Sequence, residues 1–265
     1  MNVQRATSGP SPLLDGAVAI PRPWVVRPNQ KAPAPTPRPQ ATLARRFEIE
    51  YAAGRGIEDA SMVAPALPVF EEAFGAFTHG ILIQTIDGPI AVEDLVPGMM
   101  LETVSGTPTP LLWKGAITLV PGAPSMSETP DRLYRVTADS LGLGRPTQDQ
   151  IFGPHARRLN TDPKIRSAIG TDAALMKISE LAAFGEAIEV TPVSATRVYH
   201  LACEQHETIF AAGLPVETYH PGPDAVLSMS DEMMRTFLGF FPHLSTIRDF
   251  GRLAAPRMSA DELYL

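Results

Sequence analysis

The side chains with the widest chemical scope lie in two short stretches, residues 150–159 and 197–222. Histidine suits proton transfer near neutral pH because its ordinary pKa is close to 6.5. The first stretch contains His155, and the second contains three more histidines and the single cysteine of the chain, namely His200, Cys203, His206 and His220. Such a set indicates either acid–base assistance to a nucleophile or ligation of a metal ion.

Ligation of a metal is the less favoured of these two interpretations. The spacing of His200, His206 and His220 matches no zinc motif, even with Glu204 included. We therefore predict no metal and no other cofactor. A metal-dependent or carbohydrate-related enzyme that uses a cleft around His155 is the alternative.

The elements that must position these side chains are short apolar segments punctuated by proline and glycine, which predict a mostly β domain. Residues 80–86 run into the turn dipeptide Asp87-Gly88, a strong hairpin signal. The segments on either side of Gly213 predict a second hairpin. Strands are expected at residues 80–86, 90–95, 99–104, 111–120, 186–192, 197–203, 208–212 and 214–218.

The two ends of the chain differ from this β-rich region in composition. Proline crowds residues 10–39, and because proline lacks a backbone donor, residues 1–45 are predicted to be a disordered tail. Residues 46–73 are predicted to be a connector with one short strand near its start, where apolar residues alternate with glutamates. Residues 223–265 are predicted to be a short helical extension. Its helix over residues 230–240 presents methionine and phenylalanine side chains as a docking face.

Three stretches, in this order, resemble the bacterial Hint (hedgehog/intein) domain family. Residues 75–100 read GAFTHGILIQTIDGPIAVEDLVPGMM and carry the segment VEDLVPG. Residues 150–159, QIFGPHARRL, are similar to the family's histidine block. Residues 197–222, RVYHLACEQHETIFAAGLPVETYHPG, look like its closing hairpin. The resemblance implies a compact, mostly β, disc-shaped Hint fold over residues 74–222.

The resemblance also implies where self-cleavage would occur, which is the bond between Gly75 and Ala76. In this family the residue after the bond attacks the preceding carbonyl, so a nucleophilic oxygen or sulfur must sit on its Cβ. Only Cys, Ser and Thr supply such an atom. Ala76 carries a methyl group alone, so we predict a variant of the family that lacks the nucleophilic Cys and is degenerate for autoproteolysis.

Three other residues are candidates for a catalytic role in autoprocessing. Thr78 has a hydroxyl group two residues beyond the bond, although its attack would close a larger ring. The resemblance assigns His155 and His206 to the two histidine positions of the family. Without a nucleophile, both are interpreted as relics or as structural hydrogen-bonding residues. Splicing is excluded because Pro221 stands where inteins have their cyclising Asn, and proline has no side-chain amide.

The sequence thus predicts a Hint-domain protein that acts as a binding or structural module with an unidentified protein partner. The alternative is an active autoprocessing domain that cleaves near Gly75-Ala76 with a non-Cys nucleophile. A net charge of −7 and a pI of about 5.4 disfavour a nucleic-acid partner. The sequence contains no apolar run long enough to span a bilayer and no recognisable secretory signal. We expect a monomer that is cytoplasmic by default, with signal-less export as an alternative.

Overall fold

A computed structural model describes residues 43–123 and 132–264 of the chain. The proline-rich tail predicted over residues 1–45 lies outside the described residues, except for its last three positions. Residues 41–265 cluster as one unit by their backbone contacts.

The described chain begins with a long antiparallel hairpin formed by β1 (Ala44–Ala53) and β2 (Gly56–Pro65). Phe47 and Ile49 are buried on the inner face of β1, as the alternation in the sequence predicts. The second strand was not predicted, because most of its side chains are exposed and its apolar residues follow no alternating pattern. The predicted connector, residues 46–73, therefore contains two paired strands and not one.

The region that resembles the Hint family is built from thirteen further strands among the described residues. The hairpin predicted at Asp87-Gly88 joins β4 to β5, and the hairpin predicted at Gly213 joins β14 to β15. The strands are β3 (Phe77–Thr78), β4 (Leu82–Thr85), β5 (Gly88–Ala91), β6 (Met100–Leu101), β7 (Thr109–Leu119), β8 (Leu133–Val136), β9 (Gln150–Phe152), β10 (Arg157–Asn160), β11 (Ala174–Lys177), β12 (Ile188–Val190), β13 (Thr196–Cys203), β14 (Thr208–Ala211) and β15 (Leu214–Glu217).

These strands pair into one hydrogen-bonded network in the order β11-β10-β15-β14-β4-β6-β7-β13-β3-β9-β8-β12. The pairings are antiparallel throughout. The longest pairing among these thirteen strands is between β13 and β7, with Thr196 opposite Leu119 and His200 opposite Gly115. β1 joins the network beside β7. The predicted mostly β fold is confirmed.

Helices occupy the edges of this network and most of the C-terminal end. They are α1 (Pro68–Glu71), α2 (Lys164–Ile169), α3 (Ile178–Leu181), α4 (Gly222–Ser228), α5 (Asp231–Gly239) and α6 (Ala260–Tyr264), with 3-10 turns at Val92–Asp94, Ala182–Phe184 and Ile247–Phe250. Ser230 caps α5 by accepting a hydrogen bond from the backbone N–H of Met233, as its sequence predicts. Within the described residues, no helix is long and apolar enough to cross a membrane.

The C-terminal segment shares its core with the first hairpin and the long strand β7. Phe240 and Phe241 follow α5 and are fully buried against Phe47 and Trp113, with ring centroids 4.7 Å apart for Phe47 and Phe240. The indole N–H of Trp113 donates to the backbone carbonyl of Phe240 over 2.7 Å. The docking face predicted on this helix therefore packs within the same chain, since Phe237 is completely buried.

We expect Phe240→Ala to lower the free energy of unfolding by about 3–5 kcal/mol, because it removes a large ring from a closed aromatic cluster. Leu227→Ala is the matched control, since Leu227 lies in α4 with 85% of its side chain exposed, and should change stability by less than about 0.5 kcal/mol. Urea denaturation followed by tryptophan fluorescence measures both changes. Equal effects for the two variants would contradict this account of the core.

Candidate functional site

Two backbone hydrogen bonds hold the peptide group between Gly75 and Ala76, and a third holds the peptide group that follows it. The N–H of Ala76 donates to the carbonyl of Tyr199 over 2.9 Å, and the carbonyl of Gly75 accepts from the N–H of His155 over 2.9 Å. The carbonyl of Ala76 accepts from the N–H of Gly153 over 2.8 Å. The bond is therefore fixed between β13 on one side and the chain that follows β9 on the other.

Two glycines allow this close approach of three backbone segments. A Cβ atom on Gly153 would lie 2.3 Å from the carbonyl oxygen of Gly75, which is too close for any side chain. A Cβ atom on Gly75 would lie 2.8 Å from Cδ2 of His155. The imidazole of His155 therefore lies directly against the residue before the bond, as the sequence interpretation requires.

The position after the bond offers no nucleophile. Ala76 is 1% exposed and belongs to the main apolar core. Thr78, the other candidate, is buried in β3, and its hydroxyl donates to the carbonyl of Ile151 over 2.5 Å. To attack a carbonyl, this hydroxyl would first have to give up that hydrogen bond inside a buried strand, which carries a desolvation cost.

His155 borders a cleft of about 1090 Å³, which Glu72, Arg157 and Lys177 also line. Burial of the ring lowers the pKa of His155 to about 4, against the opposing effect of the Glu72 carboxylate, and the charges of Lys177 and Arg157 act in the same direction as burial. His155 is therefore neutral at pH 7, a state in which one ring nitrogen donates and the other accepts.

His206 is separated from the bond and belongs to a buried ionic cluster around Glu217. Its Nδ1 accepts from the backbone N–H of Ala254 over 2.8 Å, so a neutral ring carries its proton on Nε2, which lies 3.5 Å from the Glu217 carboxylate. The structure thus brings His155 to the candidate bond and assigns His206 a different neighbourhood.

Glu217 is 1% exposed and is the centre of this cluster. Its carboxylate accepts from Arg157 over 2.9 Å and from Arg257 over 3.0 Å. Burial alone would raise its pKa, but hydrogen bonding from His206 and the charges of the two guanidinium groups lower the pKa to about 2. Glu217 is therefore ionised across the physiological range.

Arg157 links this cluster to the candidate bond through Glu72, three residues before Gly75. The second guanidinium nitrogen of Arg157 donates to Glu72 over 2.7 Å. Burial would raise the pKa of Glu72, but Arg157, His155 and Lys177 together lower it to about 2. Sequence reasoning missed Glu72, Arg157, Glu217 and Arg257. The sequence did contain one signal for these residues, because each is a charged residue inside or beside an apolar segment. If such a charge is buried, it requires a partner.

The remaining histidines of the closing hairpin have individual structural settings. His200 is 1% exposed and packs edge-on against Phe77. It accepts a hydrogen bond from the N–H of Leu201, and burial lowers its pKa to about 3. His220 accepts from the N–H of Gly222 over 2.9 Å. In residues 43–123 and 132–264, no group of three or more His, Cys, Asp or Glu side chains is arranged to hold a metal ion.

Cys203 lies at the end of β13, beside an irregularity in its pairing with β7. Burial raises the pKa of its thiol, with a further contribution from the charge of Glu207. A thiol in this setting stays protonated and is a poor nucleophile.

Comparison with known proteins identifies the class to which this mostly β chain belongs. The family model of the Hint domain matches residues 75–223, which is more than half of the chain. The chain therefore belongs to the Hint domain family, and the resemblance seen in residues 75–100, 150–159 and 197–222 is confirmed.

One solved structure that this chain resembles is described as the solution structure of a bacterial intein-like domain from Clostridium thermocellum. The similarity covers 55% of this chain and 99% of that chain, at 10% sequence identity and a TM-score of 0.35. No curated protein sequence matches this chain.

We expect Glu217→Gln to lower the free energy of unfolding by about 3–5 kcal/mol, because it leaves the buried Arg157 and the partly buried Arg257 without their shared counter-charge. Asp172→Asn is the matched control. Asp172 pairs with Arg166 on an exposed surface, and both side chains are more than 70% exposed, so its loss should cost less than about 1 kcal/mol. Chemical denaturation at pH 7 compares the two variants, and a Glu217→Gln variant as stable as the control would be inconsistent with a buried ionic cluster.

We also expect stability to fall as the pH is lowered from 6.5 towards 4. Burial lowers the pKa values of His155, His220 and His243 to about 4 and that of His200 to about 3. In this window the unfolded chain binds protons that the folded chain does not, so the free energy of unfolding decreases with falling pH. Buried Glu71 and Glu207, whose pKa values are raised, act in the opposite direction but are fewer.

Urea titrations at pH 7.5 and pH 5 measure this dependence. His243→Gln should reduce the difference in the free energy of unfolding between the two pH values, because it removes one of these four histidines. The Nδ1 atom of His243 has no hydrogen-bond partner among the described residues. Equal free energies of unfolding at the two pH values would show that the histidines are not held neutral by the fold.

Proposed function

We propose that this Hint domain does not cleave its own chain and acts as a binding or structural module. The observation that carries the proposal is Ala76, whose side chain ends at Cβ at the position where the reaction needs a nucleophilic atom. No acid or base near the bond replaces that atom, because acid–base groups assist an attack that another atom must make.

The hydrogen bond made by the Thr78 hydroxyl supports the same proposal. Its hydroxyl donates to Ile151 within the buried pairing of β3 with β9. Moving it towards the Gly75 carbonyl would disrupt the backbone that holds the candidate bond. The alternative, an autoprocessing domain with a non-Cys nucleophile, has no comparable support among the described residues.

A binding role is supported by the cleft that His155 borders. Its volume of about 1090 Å³ is sufficient for a small molecule, and its wall combines apolar residues with many polar and charged ones. His155 and Glu72, whose pKa values are both perturbed, lie on this wall, and perturbed titratable groups in a cleft are frequent at ligand sites.

The proposal is tested by the intact mass of the purified chain after a day with hydroxylamine or dithiothreitol. We expect the wild type to remain whole at 28.5 kDa. We expect Ala76→Cys to split between residues 75 and 76, because the thiol then adjoins a carbonyl held by the N–H of His155. Ala73→Cys is the matched control, since it places a thiol at a fully buried alanine away from the bond, and it should stay whole.

The outcomes separate the alternatives. Wild-type fragments beginning at Ala76 would overturn the proposal and direct attention to Thr78. If all three proteins stay whole, the non-cleaving proposal stands, but the missing Cβ substituent is then not the only defect. Stoichiometric metal in the purified protein would instead favour a metal-dependent enzyme.

A further inference from the structure

One cation on the wall of the cleft is not committed to any partner. Lys177, the last residue of β11, lines the cleft together with His155 and is partly buried. Within residues 43–123 and 132–264 its ammonium group makes no hydrogen bond or ion pair, although its charge acts on Glu72 and His155. Its three N–H donors are therefore available to a ligand in the cleft.

The two guanidinium groups along this wall already have carboxylate partners. Arg157 binds Glu72 and Glu217, and Arg257 binds Glu217 and the carbonyl of His220. Besides Glu72, two further acidic residues line the cleft, and neither is hydrogen-bonded or ion-paired to Lys177 within the described residues. The carboxylate of Glu180 accepts from the backbone N–H of Ala260 at the start of α6, and Asp224 lies exposed at the rim.

The backbone around the cleft is rich in proline. Five prolines line the cleft, namely Pro68, Pro154, Pro221, Pro223 and Pro256. Proline fixes φ and reduces the conformational freedom that a ligand would have to restrict. Two hydroxyl groups, those of Ser179 and Ser259, line the same space as Lys177 and can donate hydrogen bonds.

We propose that this cleft binds a small ligand through a carboxylate or phosphate group, which Lys177 holds beside the imidazole of His155. The inference rests on the proposed binding role of the domain and names the chemistry of its ligand. An ammonium has three donors and a full charge, so it pairs with an oxyanion at any orientation of that group. The neutral ring of His155 adds one more donor on the same wall.

The direct test is calorimetric titration of the full chain with sodium phosphate and, separately, with sodium acetate. Sodium chloride at matched ionic strength controls for general screening of charge. We expect saturable binding of at least one oxyanion to the wild type, and Lys177→Gln should weaken it by about tenfold or more, since a hydrogen bond to a charged group is lost. Lys177→Arg should retain binding because it keeps the charge.

Lys164→Gln is the matched control, since Lys164 is an exposed lysine on α2, outside the lining of the cleft. It should leave the affinity unchanged. Saturable binding that Lys177→Gln weakens and Lys164→Gln does not supports the site, and the preferred anion identifies carboxylate or phosphate as the ligand group. Binding that all three variants retain, or heats that chloride reproduces, would overturn the inference.

The intact mass of each sample keeps this test separate from the proposed function. A chain that stays whole but binds neither anion rejects the site at Lys177 alone. A chain that fragments at residue 76 rejects the non-cleaving role, whatever the titration gives. Circular dichroism and the behaviour of Lys177→Arg distinguish a lost contact from a misfolded variant.

Discussion

The buried carboxylate of Glu217 is the interaction on which the arrangement of the site depends. It sits at the end of β15 and binds Arg157 from β10 and Arg257 from the C-terminal segment. A buried carboxylate is strongly destabilising unless it is paired and hydrogen-bonded. These elements must therefore meet around it, and the chain after residue 250 is fixed to the β region by charge as well as by apolar contact.

The cluster extends to the candidate bond through a short series of alternating charges. Arg157 lies between Glu217 and Glu72, so two carboxylates and two guanidinium groups balance within the buried region. Glu72 is three residues before Gly75, so its ion pair with Arg157 fixes the backbone just before the candidate bond. The backbone just after the bond is hydrogen-bonded to β13. His155 therefore lies on a wall where both guanidinium groups are paired, while the ammonium group of Lys177 has no hydrogen-bond or ion-pair partner within the described residues.

Local patterns in the sequence predicted the parts of this fold that depend on neighbouring residues. The hairpins at Asp87-Gly88 and Gly213 follow from turn chemistry, and the cap at Ser230 follows from its side-chain oxygen. The second strand of the first hairpin could not be predicted in this way, since it pairs only with β1 and leaves most of its side chains in solvent. β2 is a strand because its backbone pairs with β1, and the order of apolar and polar residues within β2 does not indicate that pairing.

The same distinction applies to the candidate site. Ala76 and His155 could be located because each lies within a recognisable stretch, and the backbone of His155 does contact Gly75. His206 lies in the closing hairpin, but its ring faces Glu217, whose partners come from segments about 40 and 60 residues away. Long-range ion pairs of this kind leave no periodic signal, so only the requirement that buried charges be paired points to them.

The geometry around the Gly75-Ala76 bond is required by the sheet, independently of any reaction. The hydrogen bonds that fix the bond continue the pairing of β3 with β13 and with β9. Gly153 must lack a side chain because the Gly75 carbonyl occupies that space. A chain that lost its nucleophile would therefore keep the bond in position as long as it kept its fold. The positions of the bond and of His155 therefore follow from the fold and do not by themselves indicate cleavage. Self-cleavage at this bond would require a nucleophilic oxygen or sulfur on the Cβ of residue 76, and Ala76 has none.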